Sequence, residues 1–438
     1  MVAINPEAFV NPPYITCPEC GQPRFGVNAV GPDLIVRFCL ACRFKGTMAL
    51  PRLNKRIVFI DQSALSKMLH VVAPLNERRD AHQEFWRSLF LRLTKLVHMQ
   101  LIACPFTSVH VEESMMDSRK VHGLDWIARR LAADVEFEDR FDIELAQVVD
   151  CAVAWLQSRP IVPSARAMAF ALRGDRTGWL DNMMIRWFTS LPKEVVDTIR
   201  AVRDEIHRDM EDPYERWCAE PMPFDQRVRE EARGFGKATI DAEARRLQRL
   251  QQIQAGNAKL TEGDLNLEAA SAVQRIFAQF IACGLDGMTA TLKVIEFLRS
   301  DVLVEIPVVR LSAMLTASVA RDAEEGRTTK NRPGRGSRGD FAAISTSLPL
   351  CDAMFVDNEC ARYLGRAPLA QEVERYGCRV FSLETQSEFM KYLDEVEAAA
   401  SREHMELVAE IYGPIPTELP EPPREPKPRS PRGGLSTS

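Results

Sequence analysis

Two sets of side chains in this 438-residue chain have the types and spacing to do chemistry. The first is Cys17-Pro18-Glu19-Cys20 and Cys39-Leu40-Ala41-Cys42, two Cys-x-x-Cys pairs separated by eighteen residues. Four thiolates at that spacing can close a tetrahedral shell around zinc, and a shell filled entirely by protein ligands is structural rather than catalytic. Reduced structural thiols, or iron held by the same four sulfurs, are the other readings. The second set is acidic and dispersed. Asp61 ends the apolar run Ile57-Val58-Phe59-Ile60, and Asp357 ends Ala353-Met354-Phe355-Val356. Glu112 and Glu113 stand near the start of one helix-like segment, and Asp340 opens another at Phe341-Ala342-Ala343-Ile344. Each acid alone has a simpler explanation, as a helix cap or a dipole counter-charge. Gathered in one cleft they would repel one another unless a cation neutralised them. Oxygen donors in a chain with seven histidines suit Mg²⁺ or Mn²⁺. Such an ion can orient and acidify a water and offset the charge that develops on a phosphodiester.

The elements that must position these groups are legible in outline. Runs of consecutive apolar residues read as strands buried on both faces, so 57–60, 101–104, 353–356 and 378–382 are expected strands of an α/β sheet. An acid at the carboxyl end of such a strand sits where ligands collect in open parallel sheets. Phe85, Trp86, Leu89, Phe90, Leu93, Leu96 and Val97 repeat at helical spacing, which predicts a core-facing helix over 81–98. Thr107-Ser108 offers hydroxyl caps for the helix that carries His110, Glu112 and Glu113. Those two glutamates lie about 100° apart on a helix, so one alone can face a cleft. His110, one turn from Glu113, reads as a packing or supporting residue ahead of one that touches a phosphate or leaving group. Within the metal-binding module, Leu34 to Phe38 is expected to be the strand that delivers the second cysteine pair.

Between 124 and 300 the pattern is helical, with no strand pair and no chemical motif. Arg229 to Gln254 reads as an exposed helix, and Glu388 to Ala409 as one closing helix. The segment 326–339 carries Arg327, Lys330, Arg332, Arg335 and Arg338 among Gly, Pro, Ser, Thr and Asn, without an acid. It suits contact with a phosphate backbone, or is simply a solvated loop.

Taken together, IVFIDQSALSKML at 57–69, CPFTSVHVEES at 104–114 and GDFAAISTSLPLCDAMFVDN at 339–358 resemble the PIN-like nuclease family, and Cys17 to Cys42 resembles a zinc ribbon. The resemblance implies a parallel sheet flanked by helices, with Asp61, Glu113, Asp340 and Asp357 converging on one or two divalent cations. It leaves room for Asp352 as a fifth acid. It also implies a large helical insertion, because the second and third acids are far apart. The expected organisation is a ribbon at 1–50, a split PIN-like domain at 55–123 and 301–410 around an insertion at 124–300, and a Pro-rich disordered tail at 411–438.

The expected function is a Mg²⁺- or Mn²⁺-dependent endoribonuclease with structural zinc, acting on nucleic acid and on RNA ahead of DNA, and open to a protein partner or inhibitor. The alternative is a non-catalytic RNA- or protein-binding adaptor. A net charge of -5 gives no sign of non-specific nucleic-acid binding through bulk charge, so any polyanion site must be a local basic patch. No apolar run approaches a membrane span, no signal peptide is visible, and eleven cysteines, an odd number, argue against a disulfide framework. A cytoplasmic protein without membrane contact is expected.

Overall fold

The computed structural model describes residues 9–72, 81–114, 121–181, 217–259, 271–326 and 337–418. At the amino end, β1 (Asn11–Ile15), β2 (Phe25–Val30), β3 (Leu34–Cys39) and β4 (Lys45–Ala49) form an antiparallel meander in that order. The apolar faces of this small sheet are too few to make a core alone. Val27, Ile35 and Leu50 therefore share a cluster with Trp179 and with Val408 and Ile411 of the last helix, Arg402–Tyr412. Arg37 is buried in this seam and donates to the carbonyls of Pro13, Phe25 and Glu410.

The second sheet starts with β5 (Arg56–Ile60) and β6 (Ile102–Ala103). A two-residue antiparallel pair follows, β7 (Glu136–Phe137) with β8 (Leu172–Arg173), and then β9 (Ala353–Phe355) and β10 (Arg379–Phe381) complete the main sheet. That sheet is parallel, in the order β10-β9-β5-β6. β5 is central, and the chain goes first to β6 on one side and then back to β9 on the other. The carboxyl edge between β5 and β9 is thus the point where strand order reverses, the usual crevice for a ligand in such sheets. Ile57, Val58, Phe59 and Ile60 are all buried, as four consecutive apolar residues require. Phe85 and Trp86 of the helix Gln83–His98 pack their rings against Phe355 of β9, which bears out the core-facing reading of that helix.

The helices Arg140–Leu156, Phe224–Gln254, Ala272–Ala282 and Gly287–Leu298 build a second core around Cys151, Ile276, Phe280, Val294 and Phe297. The helix Pro307–Glu324 joins the two cores: Val308 and Val309 belong to the second, and Leu311 through Ala323 to the first. It begins at Pro307, whose fixed φ and missing N–H suit a first helical position.

Four sequence expectations need correction. The region 124–300 does hold a strand pair, β7 with β8, too short at two residues each to leave a pattern. The helix Phe224–Gln254 is not simply exposed, because it buries Val228, Ala232 and Gly236. A Cβ on Gly236 would lie 1.9 Å from the Leu298 carbonyl oxygen, so only glycine allows this approach. The closing helix is two, Gln386–Ala398 and Arg402–Tyr412, broken where Ser401 caps the second by accepting from the His404 N–H. Finally, Ile411 and Tyr412 are not tail: Ile411 is fully buried, and the Tyr412 hydroxyl donates to the Leu180 carbonyl. Residues 419–438 lie outside the described residues.

Candidate metal centres

In the ribbon, β3 ends at Cys39 and the turn to β4 carries Cys42, while the β1–β2 turn carries Cys17 and Cys20. The two turns close alike: the Gly21 N–H bonds to the Cys17 carbonyl and the Arg43 N–H to the Cys39 carbonyl, each at 2.9 Å. Both closing residues are left-handed, Gly21 at φ +71° and Arg43 at φ 63°. The Cys17 and Cys42 sulfurs are 3.7 Å apart, as are those of Cys20 and Cys39. A tetrahedron with metal–sulfur bonds of about 2.3 Å has sulfur–sulfur edges of roughly 3.8 Å. These four thiols therefore have the spacing to hold a zinc ion. N–H groups at Cys42 and Ala41 pull the Cys39 thiol down to about 6. A bond from the Phe44 N–H acts in the same direction on Cys42, but desolvation and then the neighbouring thiols outweigh it and push Cys42 up to about 12. All four can ionise together only around a cation.

The acidic centre lies at the carboxyl edge of the parallel sheet. Asp61 follows β5 and Asp357 lies two residues beyond β9. Each uses one oxygen to open the helix behind it. Asp61 Oδ2 accepts the Ser63 N–H at 3.4 Å and the Ser63 hydroxyl at 2.5 Å, and Asp357 Oδ1 accepts the Cys360 N–H at 2.6 Å. The cap reading and the site reading are therefore compatible, since a carboxylate has a second oxygen. Asp340 stands in the first turn of the helix Ser337–Ser347. One oxygen of Asp340, one of Asp357 and the Cys360 sulfur lie within 4.8 Å of one another. Burial raises the Asp61 carboxyl above its ordinary value, and the charge of Asp357 adds to the effect against the pull of Ser63. Burial likewise raises the Cys360 thiol, with Asp357, Asp340 and Asp61 all contributing. Asp340 and Asp357 thus share one field with Asp61, which lies far from both in sequence.

Glu113 is the glutamate on this side. A methyl group on Gly339 would sit 3.5 Å from Glu113 Oε1, which places that carboxylate beside the turn bearing Asp340. Glu112 instead pairs with Arg140 at 3.5 Å. His110 is buried, and its Nδ1 accepts from the Thr107 N–H at 2.9 Å. Burial pulls it down to about 4, and its bond to the Ile60 backbone only partly offsets this. His110 is accordingly a neutral brace that fixes the Glu113 helix to the end of β5.

Asp352 is not in this centre. It precedes β9 rather than following it, and so lies at the amino edge of the sheet. There it accepts from the Ile57 N–H at 2.8 Å and from Arg56 Nη1 at 2.7 Å, closing the entry to β5 and β9. Its expected place among the site acids is thereby corrected. Arg327, Lys330, Arg332 and Arg335 lie outside the described residues, as does the side chain of Arg338. Sequence reasoning missed Cys360. The signal for Cys360 was available, since a residue three beyond an N-cap aspartate stands over it on the first helical turn. No helix among the described residues is long and apolar enough to cross a membrane. Comparison of the chain with protein-family models, with curated proteins and with solved structures finds no match.

Proposed function

We propose that the chain is a PIN-like, metal-dependent endoribonuclease, with Asp61, Glu113, Asp340 and Asp357 as its cation ligands and a structural zinc in the ribbon. One observation carries this reading: Asp340 and Asp357 meet within 4.8 Å at the strand-order reversal, with Asp61 in their field. Carboxylates this close are stable together when a cation neutralises them, and Mg²⁺ or Mn²⁺ suits oxygen donors. When bound, the ion supplies Lewis acidity and offsets charge on a phosphodiester undergoing hydrolysis. The chain's own groups do the positioning. Ser63 holds one oxygen of Asp61, the Cys360 N–H holds one of Asp357, and His110 braces the helix that presents Glu113. The segment 327–338, which leads into Asp340, is the basic stretch suited to hold a phosphate backbone.

The test is cleavage of labelled single-stranded RNA by the full chain with Mn²⁺ or Mg²⁺. Asp61→Asn and Asp340→Asn should lower the rate by about a hundredfold or more while the protein stays folded. Asp352→Asn, at the far edge, should cleave as the wild type does. Equal rates in the wild type and Asp340→Asn would contradict the proposal. A non-catalytic adaptor that binds RNA or protein is the second reading. It is favoured by the helix-capping bonds that Asp61 and Asp357 accept from the Ser63 and Cys360 N–H groups, which would be kept without catalysis.

A further inference from the structure

We propose that, independently of any cation site, the acidic and aromatic surface at the start of the helix Arg140–Leu156 is a docking site for the chain's own residues 419–438, a proline-rich basic segment. Exposed apolar side chains standing singly are ordinary on a protein surface. Here two aromatic rings stand out on packed neighbours: Phe141 is 62 % exposed and Phe170 48 %. The Glu138 N–H bonds to the Ala171 carbonyl at 3.0 Å, which brings the end of the helix Ala165–Phe170 to the start of Arg140–Leu156. The same stretch is acidic, with Glu136, Glu138, Asp139 and Asp142 against Arg140 and Arg173. Both of those arginines already have carboxylates, Arg173 with Glu138 at 2.8 Å and Arg140 with Glu112 at 3.5 Å. The Arg140 guanidinium also lies 4.7 Å from the centre of the Phe141 ring, so that ring already carries one cation.

Charge and composition select the occupant. A nucleic-acid strand is repelled by this surface, whereas residues 419–438 carry Arg424, Lys427, Arg429 and Arg432 against Glu421 and Glu425. Six prolines, from Pro420 to Pro431, run through the same segment. Proline-rich sequences dock on exposed aromatic rings at low entropic cost, and arginines among the prolines add cation–π contacts and pair with surrounding acids. The segment also starts within reach. The charge of Asp134, which opens the acidic stretch, acts on the Tyr412 hydroxyl, so the last helix ends near the chain that leads through β7 to Phe141. From Asp134 to Phe141 is at most about 25 Å of extended chain. Residues 419–438 in a polyproline II conformation span about 60 Å.

The test is limited trypsin digestion of the purified full chain at low salt, with mass spectrometry following the release of residues 430–438 by cleavage after Arg429. Phe141→Ser and Phe170→Ser remove exposed rings and leave the core intact, so both variants should melt as the wild type does. Each should speed the release about fivefold or more, because the protease cuts the undocked population. High salt screens the acidic surface from the arginines and should bring the wild type towards the rate of the variants. Equal release from the wild type and both variants at low salt would overturn the proposal, and is the result if a separate partner protein is the true occupant. Protection that fades as the protein is diluted would overturn it as well, since the segment would then sit on a second copy of the chain.

Discussion

His110 shows how much of the centre depends on groups that never touch a ligand. Its ring is buried and neutral, held between Thr107 and the Ile60 carbonyl, and burial has taken its pKa down to about 4. The unfolded chain would protonate this ring as pH falls below about 6.5, while the folded chain resists until about pH 4. Folding stability is therefore lost on acidification across that window and is unaffected by this group above it. The group accounts for a loss of about 2 to 3 kcal/mol between pH 7 and pH 4.5. Urea unfolding of the wild type and of His110→Asn at the two pH values checks this, because the variant lacks the titrating ring and should lose less by that amount. The aspartates differ in how readable they were. Asp61 and Asp357 could be found because each ends an apolar run. Asp352 misled because it stands beside such a run as well, but before it, and only the strand's direction separates the two edges of a sheet. Glu113 could not be separated from Glu112 without the pairing of Glu112 with Arg140.

Among the elements, the ribbon illustrates the limits of a domain boundary drawn from spacing. Its cysteines and the strand Leu34–Cys39 were legible, since both knuckles have fixed local geometry. Its attachment was not, because Arg37, Trp179 and Ile411 are widely separated in sequence and meet only in the fold. A closed metal shell in so small a sheet contributes directly to its folding. Removal of zinc by a chelator should therefore lower the melting temperature and expose Trp179, whose ring nitrogen donates to the Pro51 carbonyl at 2.7 Å. A shift of the Trp fluorescence to the red on chelation, reversed by added Zn²⁺, is the expected result. An unchanged melting curve would show that the thiols alone hold the ribbon. Helix ends were the other weak point. Ser401 has the residue type of a cap, but the surrounding helical pattern runs through it, so the break between the last two helices left little trace.

At the scale of the whole molecule, the long insertion does not separate the two halves of the parallel sheet. The sheet order β10-β9-β5-β6 reunites strands almost three hundred residues apart, and the helix Pro307–Glu324 ties the insertion's core to the sheet's core. Sequence patterns gave the strands and their buried character, but not this helix's double role, because its apolar residues nearly encircle it and both faces read alike. Bringing Asp61, Asp340 and Asp357 together is thus a property of the complete fold. The most direct measurement is anomalous diffraction from crystals of the full chain loaded with Zn²⁺ and soaked in Mn²⁺, with the four-cysteine group as an internal control. A manganese peak is expected among Asp61, Asp340 and Asp357 in the wild type and none in Asp357→Asn. A clear zinc peak in the ribbon with no manganese at the sheet edge would contradict it.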